Sequence, residues 1–117
     1  MKSPRADRFL VEDMLESLGR IARYTAGMQK ETFLSDRKTI DAVVRNLEII
    51  GEAAARLTVD TRQRRPGTEW PLIIGLRNRI VHEYFGVDTE IVWQIISRDL
   101  FQLGEELHQL LESLPAN

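Results

Sequence analysis

One short stretch of the chain carries four side chains suited to acid–base and phosphate chemistry. Within Trp70–Asp88 (WPLIIGLRNRIVHEYFGVD) stand Arg77, Asn78, His82 and Tyr84. Arginine presents a planar fork of donors that matches a phosphate, and histidine exchanges a proton near neutral pH. Together with asparagine as a polar orienting group, arginine and histidine are the functional groups needed to cleave RNA without a metal ion. A base takes the 2′-OH proton, the oxygen attacks the adjacent phosphorus, and arginine stabilises the added negative charge. DNA lacks that hydroxyl, so the mechanism would select RNA.

The setting of Arg77 predicts a partner for its charge. A regular helix would surround it with an apolar stripe made of Ile73, Ile74, Ile80 and Val81. Because a buried unpaired charge is very costly, two interpretations stay open. In one, an acidic residue of another helix holds Arg77. In the other, the stripe faces a crevice or a subunit interface where Arg77 meets an anion. Glu48 and Glu52 are candidate partners, although a solvated acidic face is the simpler interpretation of that pair.

The spacing of the motif raises a geometric difficulty. On a regular helix, Asn78 and His82 are four residues apart and share a face, whereas Arg77 and His82 are separated by roughly 140°. Arg77 and His82 converge only if the helix is distorted or lies at the edge of a groove. A second solution is two copies of the helix meeting across a two-fold axis, with both motifs lining one cleft. We therefore expect a homodimer.

Composition restricts the class of protein. The 117 residues fit one domain (1–117), and 43% hydrophobic with 29% charged residues is typical of a soluble globular chain. No apolar run approaches the ~20 residues that span a bilayer, and the charged N-terminus lacks the apolar core of a secretory signal. The absence of cysteine excludes disulfides and thiolate zinc sites and fits a cytoplasmic protein. A net charge of −2 is unlike that of a duplex-DNA binder, so any nucleic-acid contact must be local.

Two further patterns carry less weight. Glu105-x-x-His108 has the spacing of a di-iron ligand pair, but that site needs a second such pair, which the sequence lacks. We therefore expect no metal and no other cofactor, and we interpret His108 as a helix-surface residue. Arg62, Arg64 and Arg65 form the one local basic cluster. It is interpreted first as a solvated loop and second as a patch that steers phosphate.

Helical periodicity predicts four amphipathic helices and no alternating strand pattern. Their expected bounds are Pro4 or Arg5 to Thr25, a cap at Ser35 or Asp36 to about Leu57, Pro71 to a stop at Gly86, and a cap at Asp88 to about Ser113. Met28–Leu34 is expected to be a connector or a short helical turn, and Thr58–Glu69 the longest irregular segment. The small residue Gly51 would let another helix approach closely. These features predict an all-α fold, an antiparallel four-helix bundle with at most a further short helix.

The motif also carries a resemblance to a known family. Arg77-Asn78-x-x-x-His82-x-Tyr84 is similar to the signature of the HepT-like toxin branch of the HEPN superfamily. The likeness covers most of the chain, from about Arg8 to Leu110, and is carried by Ala42–Ala53 (AVVRNLEIIGEA), Trp70–Pro71, Val87–Asp88 and Ile91–Trp93. Glu83 departs from the pattern, because the family more often has aspartate there.

The resemblance implies a HEPN-type bundle that acts as a metal-independent endoribonuclease toxin of a type VII-like toxin–antitoxin pair. It implies a homodimer with a composite site, in which Arg77, Asn78 and His82 are catalytic. It further implies that Tyr84 is adenylylated (AMPylated) by a nucleotidyltransferase antitoxin of the MntA type. The added AMP would fill the RNA cleft beside Arg77.

A different class of function stays open. The same cleft could serve a non-catalytic helical HEPN module that binds a nucleotidyltransferase partner or a nucleotide. A titrating histidine in the motif favours the enzyme, because binding alone does not need one. A plain dimeric bundle without a ligand would leave Arg77 unexplained. Replacing His82 by alanine separates enzyme from module, since an enzyme would lose turnover and keep binding.

Overall fold

A computed structural model of the chain describes residues 4–82 and 86–116. In that part of the chain the elements are α1 (Pro4–Thr25), α2 (Lys30–Leu34), α3 (Arg37–Arg56), α4 (Val59–Gln63), α5 (Trp70–Ile74), α6 (Leu76–Ile80), β1 (Val81–His82), β2 (Gly86–Val87), α7 (Thr89–Gln94), a π-helical segment (Ile95–Asp99) and α8 (Leu100–Ser113). The predicted all-α class is confirmed. None of these described helices has the length and apolar character to cross a bilayer.

The two longest helices, α1 and α3, pack along each other and supply much of the core. Their buried faces consist of Val11, Met14, Leu18 and Ile21 with Ile40, Val43, Val44, Leu47, Ile50 and Ala54. Asp36 caps α3, because its carboxylate accepts a hydrogen bond from the backbone N–H of Thr39 at 3.0 Å. That bond, with a second from the Thr39 hydroxyl, holds the pKa of Asp36 below its ordinary value. The predicted cap, at Asp36, and the predicted amphipathic character of both helices are confirmed.

Contacts near the start of α1 fix its direction relative to its neighbours. Arg8 Nη1 donates to the carbonyl oxygen of Leu111 at 3.2 Å, close to the end of α8. The Asp7 carboxylate accepts from the backbone N–H of Thr58 at 3.3 Å, just after α3 ends. The start of α1 therefore lies beside the ends of both helices, and α1 runs antiparallel to α3 and to α8, as predicted.

A buried carboxylate ties these elements together. Asp7 is fully buried, and it accepts hydrogen bonds from the hydroxyls of Thr58 and Thr61 as well as from the Thr58 backbone. Thr58 also caps α4 by accepting from the backbone N–H of Thr61 at 3.2 Å. Hydrogen bonds of this kind satisfy an otherwise costly buried charge. The cluster turns part of the Thr58–Glu69 segment into helix α4, so the prediction of an irregular segment is wrong there. Met28–Leu34 contains the short helix α2.

The predicted third helix is instead two short helices followed by a strand. Gly75 separates α5 from α6 with φ −87° and ψ 11°, and α6 ends at Ile80. The next residues are extended, with Val81 opposite Val87 and His82 opposite Gly86 in an antiparallel pair. The expected single helix from Pro71 to Gly86 is therefore wrong, as is the expected absence of strands. Ile80 and Val81 are β-branched, which favours extended backbone, and Gly86 adopts the positive φ of 73° that glycine tolerates.

The fourth predicted helix is present with one irregularity. Asp88 caps it, because its Oδ1 accepts from the backbone N–H of Ile91 at 3.1 Å. Helical structure then continues through α7, the π-helical segment and α8 to Ser113. Its buried residues include Ile95, Leu103, Leu107 and Leu110. Ile96 and Leu100 are only half-buried and line a groove beside α1.

A close approach at Gly51 seats α5 and α6 against α3. A Cβ atom on Gly51 would lie 3.1 Å from the carbonyl oxygen of Ile73 and 3.4 Å from that of Ile74. The expected close approach at this residue is confirmed. It presses the end of α5 onto α3 and so determines where α6 begins.

Replacing Gly51 by valine should lower the free energy of unfolding by about 1–3 kcal/mol. The new side chain would press on main-chain carbonyls, which cannot move without shifting α5. Ala55→Val, at an exposed position of the same helix, is the matched control because it adds bulk at the open groove and not at the close contact with the carbonyls of Ile73 and Ile74. Urea unfolding followed by circular dichroism measures both variants. Equal stabilities would show that α5 does not need the space at Gly51.

Candidate active site

Arg77 lies on the exposed side of α6. The buried line of α5 and α6 passes through Ile73, Leu76 and Ile80, and the Arg77 side chain is 65% exposed. The predicted placement of Arg77 inside an apolar stripe is therefore wrong. The break at Gly75 interrupts the regular periodicity on which that stripe depended, so Leu76 takes the buried position instead.

A carboxylate of α3 holds the Arg77 guanidinium. Glu48 Oε2 lies 3.2 Å from Arg77 Nε, in an ion pair that is also a hydrogen bond. The Glu48 side chain is 28% exposed, so the anchor is more buried than the group it holds. This confirms the interpretation that an acidic residue of another helix partners Arg77, and it selects Glu48 over Glu52. Among the residues that the structure describes, no other side chain pairs with this guanidinium.

Arg77 and Asn78 line one groove between α3 and the α5–α6 pair. Its volume is about 250 Å³, and its other lining residues are Glu48, Gly51, Glu52, Ala55 and Ile74. The α3 wall is acidic and the α6 wall carries the cation. Because the Arg77 side chain is 65% exposed, an anion can reach it from solvent.

His82 stands on β1 rather than on the motif helix. Its side chain is 46% exposed, and Nε2 lies 3.6 Å from Asp88 Oδ2, an ion-pair distance too long for a hydrogen bond. The backbone N–H of Asp88 donates to the carbonyl oxygen of Ile80 at 2.7 Å, which closes the turn between α6 and α7. Asp88 thus caps α7 with one oxygen and faces His82 with the other. The sequence predicted the cap and missed the contact with histidine, because that contact depends on the strand pairing.

The structure brings together only part of the predicted site. Arg77 and Asn78 share a groove, while His82 is not among the residues that line it. The expectation that Asn78 and His82 share a face of one helix is wrong, because α6 ends at Ile80 and His82 belongs to β1. Tyr84 and Glu83 lie outside the described residues.

The segment with the basic cluster is tied to the bundle. Trp70 Nε1 donates to the carbonyl oxygens of Arg62 and Arg65 at 3.1 and 3.2 Å. Arg64 Nη1 donates to the carbonyl oxygen of Ser113 at 2.6 Å, at the end of α8. Interpreting this segment as a solvated loop is therefore wrong, since it joins α4, α5 and α8.

The remaining candidate, His108, is exposed on α8, as predicted. Within the described ranges, no three His, Asp or Glu side chains gather closely enough to hold a metal ion. Among the described motif residues, only Arg77 and Asn78 line a common groove.

Comparisons with known proteins identify relatives over nearly the whole chain. The profile of the family described as Ribonuclease HepT-like matches residues 14–113. A protein of Methanocaldococcus jannaschii that carries an RNase name is 33% identical over 105 residues, covering 90% of this chain and 96% of its own length. A protein of Thermococcus cleftensis named "Probable ribonuclease HepT" is 34% identical over 106 residues, covering 91% and 96%. A third, from Caldanaerobacter subterraneus subsp. tengcongensis and also named as an RNase, is 33% identical over 112 residues, covering 96% and 97%. No solved structure matches the chain significantly.

The family match spans the helices of the bundle and the whole motif, from Arg77 through His82 to Tyr84. It agrees with the all-α architecture and with the resemblance that the motif carries. Relatives at this level of identity align over nearly their full lengths. The chain therefore belongs to the HepT-like ribonuclease family.

Proposed function

We propose that this protein is a metal-independent endoribonuclease toxin whose active site combines Arg77, Asn78 and His82 from two copies of the chain. The observation that carries the proposal is the ion pair between Glu48 and Arg77. It engages Nε at 3.2 Å and leaves the terminal Nη groups without a side-chain partner among the described residues. RNase names among the relatives support the same reaction.

The held guanidinium is suited to a phosphate in the transition state. Its two Nη groups can donate parallel hydrogen bonds to two phosphate oxygens. Charge accumulates on those oxygens as the 2′-oxygen attacks phosphorus, so a fixed cation stabilises the transition state more than the substrate. Asn78 lines the same groove and would orient the ribose or the phosphate beside Arg77.

His82 supplies the proton transfers in this proposal. A neutral imidazole takes the proton of the 2′-OH, the new P–O bond closes a 2′,3′-cyclic phosphate, and the bond to the 5′-oxygen breaks. A protonated imidazole gives that oxygen its proton, so the second product carries a 5′-hydroxyl. Asp88, 3.6 Å from Nε2, would keep the ring oriented through both steps.

A homodimer would complete the site. His82 is absent from the residues that line the groove of Arg77. Within one copy, the acid–base group and the phosphate clamp are therefore not in the same groove. Two motifs related by a two-fold axis would place a histidine of one copy beside the arginine of the other. The two histidines would then divide the roles of base and acid.

Control of such an enzyme would act on Tyr84, two residues beyond His82 in the sequence. We propose that a nucleotidyltransferase antitoxin of the MntA type adenylylates it. The phenol oxygen attacks the α-phosphorus of ATP, pyrophosphate leaves, and the phenol proton passes to solvent. The attached AMP would pair its phosphate with Arg77 and fill the RNA cleft. Family membership and the position of Tyr84 in the motif support this step.

Purified protein in EDTA should cleave single-stranded RNA and leave 2′,3′-cyclic phosphate and 5′-hydroxyl ends. Arg77→Ala should lower kcat by about 10²–10³-fold, since it removes the phosphate clamp. His82→Ala should lower it by about 10²–10⁴-fold, since it removes the proton carrier, while RNA binding persists. Arg79→Ala, on the same short helix but lining another groove, is the matched control. Cleavage by His82→Ala at the wild-type rate would contradict the mechanism. No cleavage by wild type with unmodified Tyr84 would favour the binding module.

Removing the anchor of Arg77 should reduce turnover without unfolding the protein. Exposed ion pairs contribute little to stability, so Glu48→Gln should leave the unfolding temperature nearly unchanged. A misplaced guanidinium should lower kcat by about ten- to a hundredfold with a smaller change in KM. Glu52→Gln removes a carboxylate from the same groove without touching Arg77 and is the control. If the two variants behave alike, the effect of Glu48 is general electrostatics and not orientation.

Adenylylation should silence the enzyme through one hydroxyl. Incubation with the partner transferase and ATP should add the mass of AMP to wild-type protein and abolish cleavage. Tyr84→Phe should stay unmodified and active, because it lacks the attacking oxygen. Tyr24→Phe, which changes the other tyrosine of the chain, is the matched control and should still be modified. Equal cleavage by treated and untreated wild type, with AMP attached, would rule out this form of control.

A further inference from the structure

A second groove lies between α1 and α8, and it shares no lining residue with the groove of Arg77. Its volume is about 540 Å³, and its apolar walls are formed by Leu15, Leu18, Ile21, Ala22, Ile96 and Leu100. Phe101 stands at its edge and is 81% exposed, the most exposed large apolar side chain in the described part of the chain. An apolar groove beside an exposed aromatic ring is typical of a protein-binding surface.

The described residues give no steric reason for two glycines in this groove. A Cβ atom on Gly104 would meet Leu18 Cδ1 at 3.7 Å, an ordinary van der Waals contact. On Gly19 it would meet only Arg23 Nη1 at 3.5 Å, the end of a flexible side chain. Alanine would fit at both positions and is the better helix former. Gly51 differs, because main-chain carbonyls crowd it. No contact among the described residues therefore requires glycine at position 19 or 104.

Opposite charges stand at the two ends of this groove. Arg23 lies near the end of α1, four residues beyond the groove residue Gly19. Glu112 lies near the end of α8, four residues beyond the groove residue His108. Residues four apart share a helical face, so both charges lie on the side of the groove. Because α1 and α8 are antiparallel, the cation and the carboxylate lie at opposite ends. Both side chains are exposed, and neither forms an ion pair among the described residues. A two-fold rotation about the middle of the groove would lay each charge against its opposite.

We propose that this α1–α8 face binds the same face of a second copy through a two-fold contact. Phe101 of each copy covers the apolar groove of the other, the helices approach closely over Gly19 and Gly104, and Arg23 meets Glu112 across the interface. An isologous contact needs this self-complementarity of shape and charge. The face is separate from the groove of Arg77, so the contact goes beyond the proposed RNA chemistry and would join motif-based dimers into a larger assembly.

Sedimentation equilibrium of the full chain over a range of concentrations tests this contact. Phe101→Ser should weaken self-association by about tenfold or more, as expected for an aromatic side chain that becomes buried in a contact. Phe9→Ser removes another exposed phenylalanine of the bundle, 53% exposed and outside the groove, and should change nothing. Gly104→Ala should also weaken association while the unfolding temperature stays the same or rises. A fall in unfolding temperature would show that the fold itself needs this glycine, and would overturn the explanation given for it.

Charge exchange tests the geometry. Arg23→Glu and Glu112→Arg should each weaken association, and the double variant should restore it, because each copy then offers the reversed pair. If Phe101→Ser converts a larger assembly into a dimer, the result supports the α1–α8 contact and a separate motif-based dimer contact that remains. A change directly to monomer supports the contact and counts against a motif-based dimer. Unchanged association of Phe101→Ser, or a wild-type protein that is monomeric at all concentrations, overturns the proposal.

Discussion

The close contact between α3 and the end of α5 at Gly51 determines where the proposed catalytic groups stand. Because this position has no side chain, the main-chain carbonyls of Ile73 and Ile74 lie directly against the helix. Glu48 is three residues earlier on the same side of α3, and Arg77 is three residues beyond Ile74. One steric condition in the middle of α3 therefore brings a carboxylate and a guanidinium from distant parts of the sequence to 3.2 Å.

Each of the two charged motif side chains is held by a carboxylate of another element. Glu48 holds Arg77 from α3, and Asp88 faces His82 from the start of α7. Both pairs lie at the surface and are partly exposed to solvent, so neither contributes much to stability. Their effect is to restrict side-chain orientation, which is what a site that stabilises a transition state requires. Stability comes instead from the apolar core of α1, α3 and α8 and from the buried Asp7 cluster.

The sequence predicted the long helices well and the motif region poorly. In α1, α3 and α8 the apolar period persists over many turns, so local pattern and tertiary packing agree. Between Trp70 and His82 the same period favours one helix, but the break at Gly75 and the pairing of Val81 with Val87 depend on contacts that no local pattern reveals. The role of Asp7 could not be predicted from sequence either, because its threonine partners lie more than fifty residues away along the chain. The partnership of Glu48 with Arg77 could be anticipated, since an arginine beside apolar residues needs an acid.

The bundle uses glycine in two opposite ways, and the difference separates what the fold needs from what a partner would need. At Gly51 the missing side chain is filled by the backbone of the same chain, so the residue belongs to the architecture of the site. At Gly19 and Gly104 the described residues leave room for a methyl group, although glycine weakens both helices. Since α1 packs between α3 and α8, these two kinds of position lie on different edges of the bundle. We infer that one edge serves RNA chemistry within a motif-based dimer and the other edge a second contact between copies, so that the larger assembly can change without displacing the group that holds Arg77.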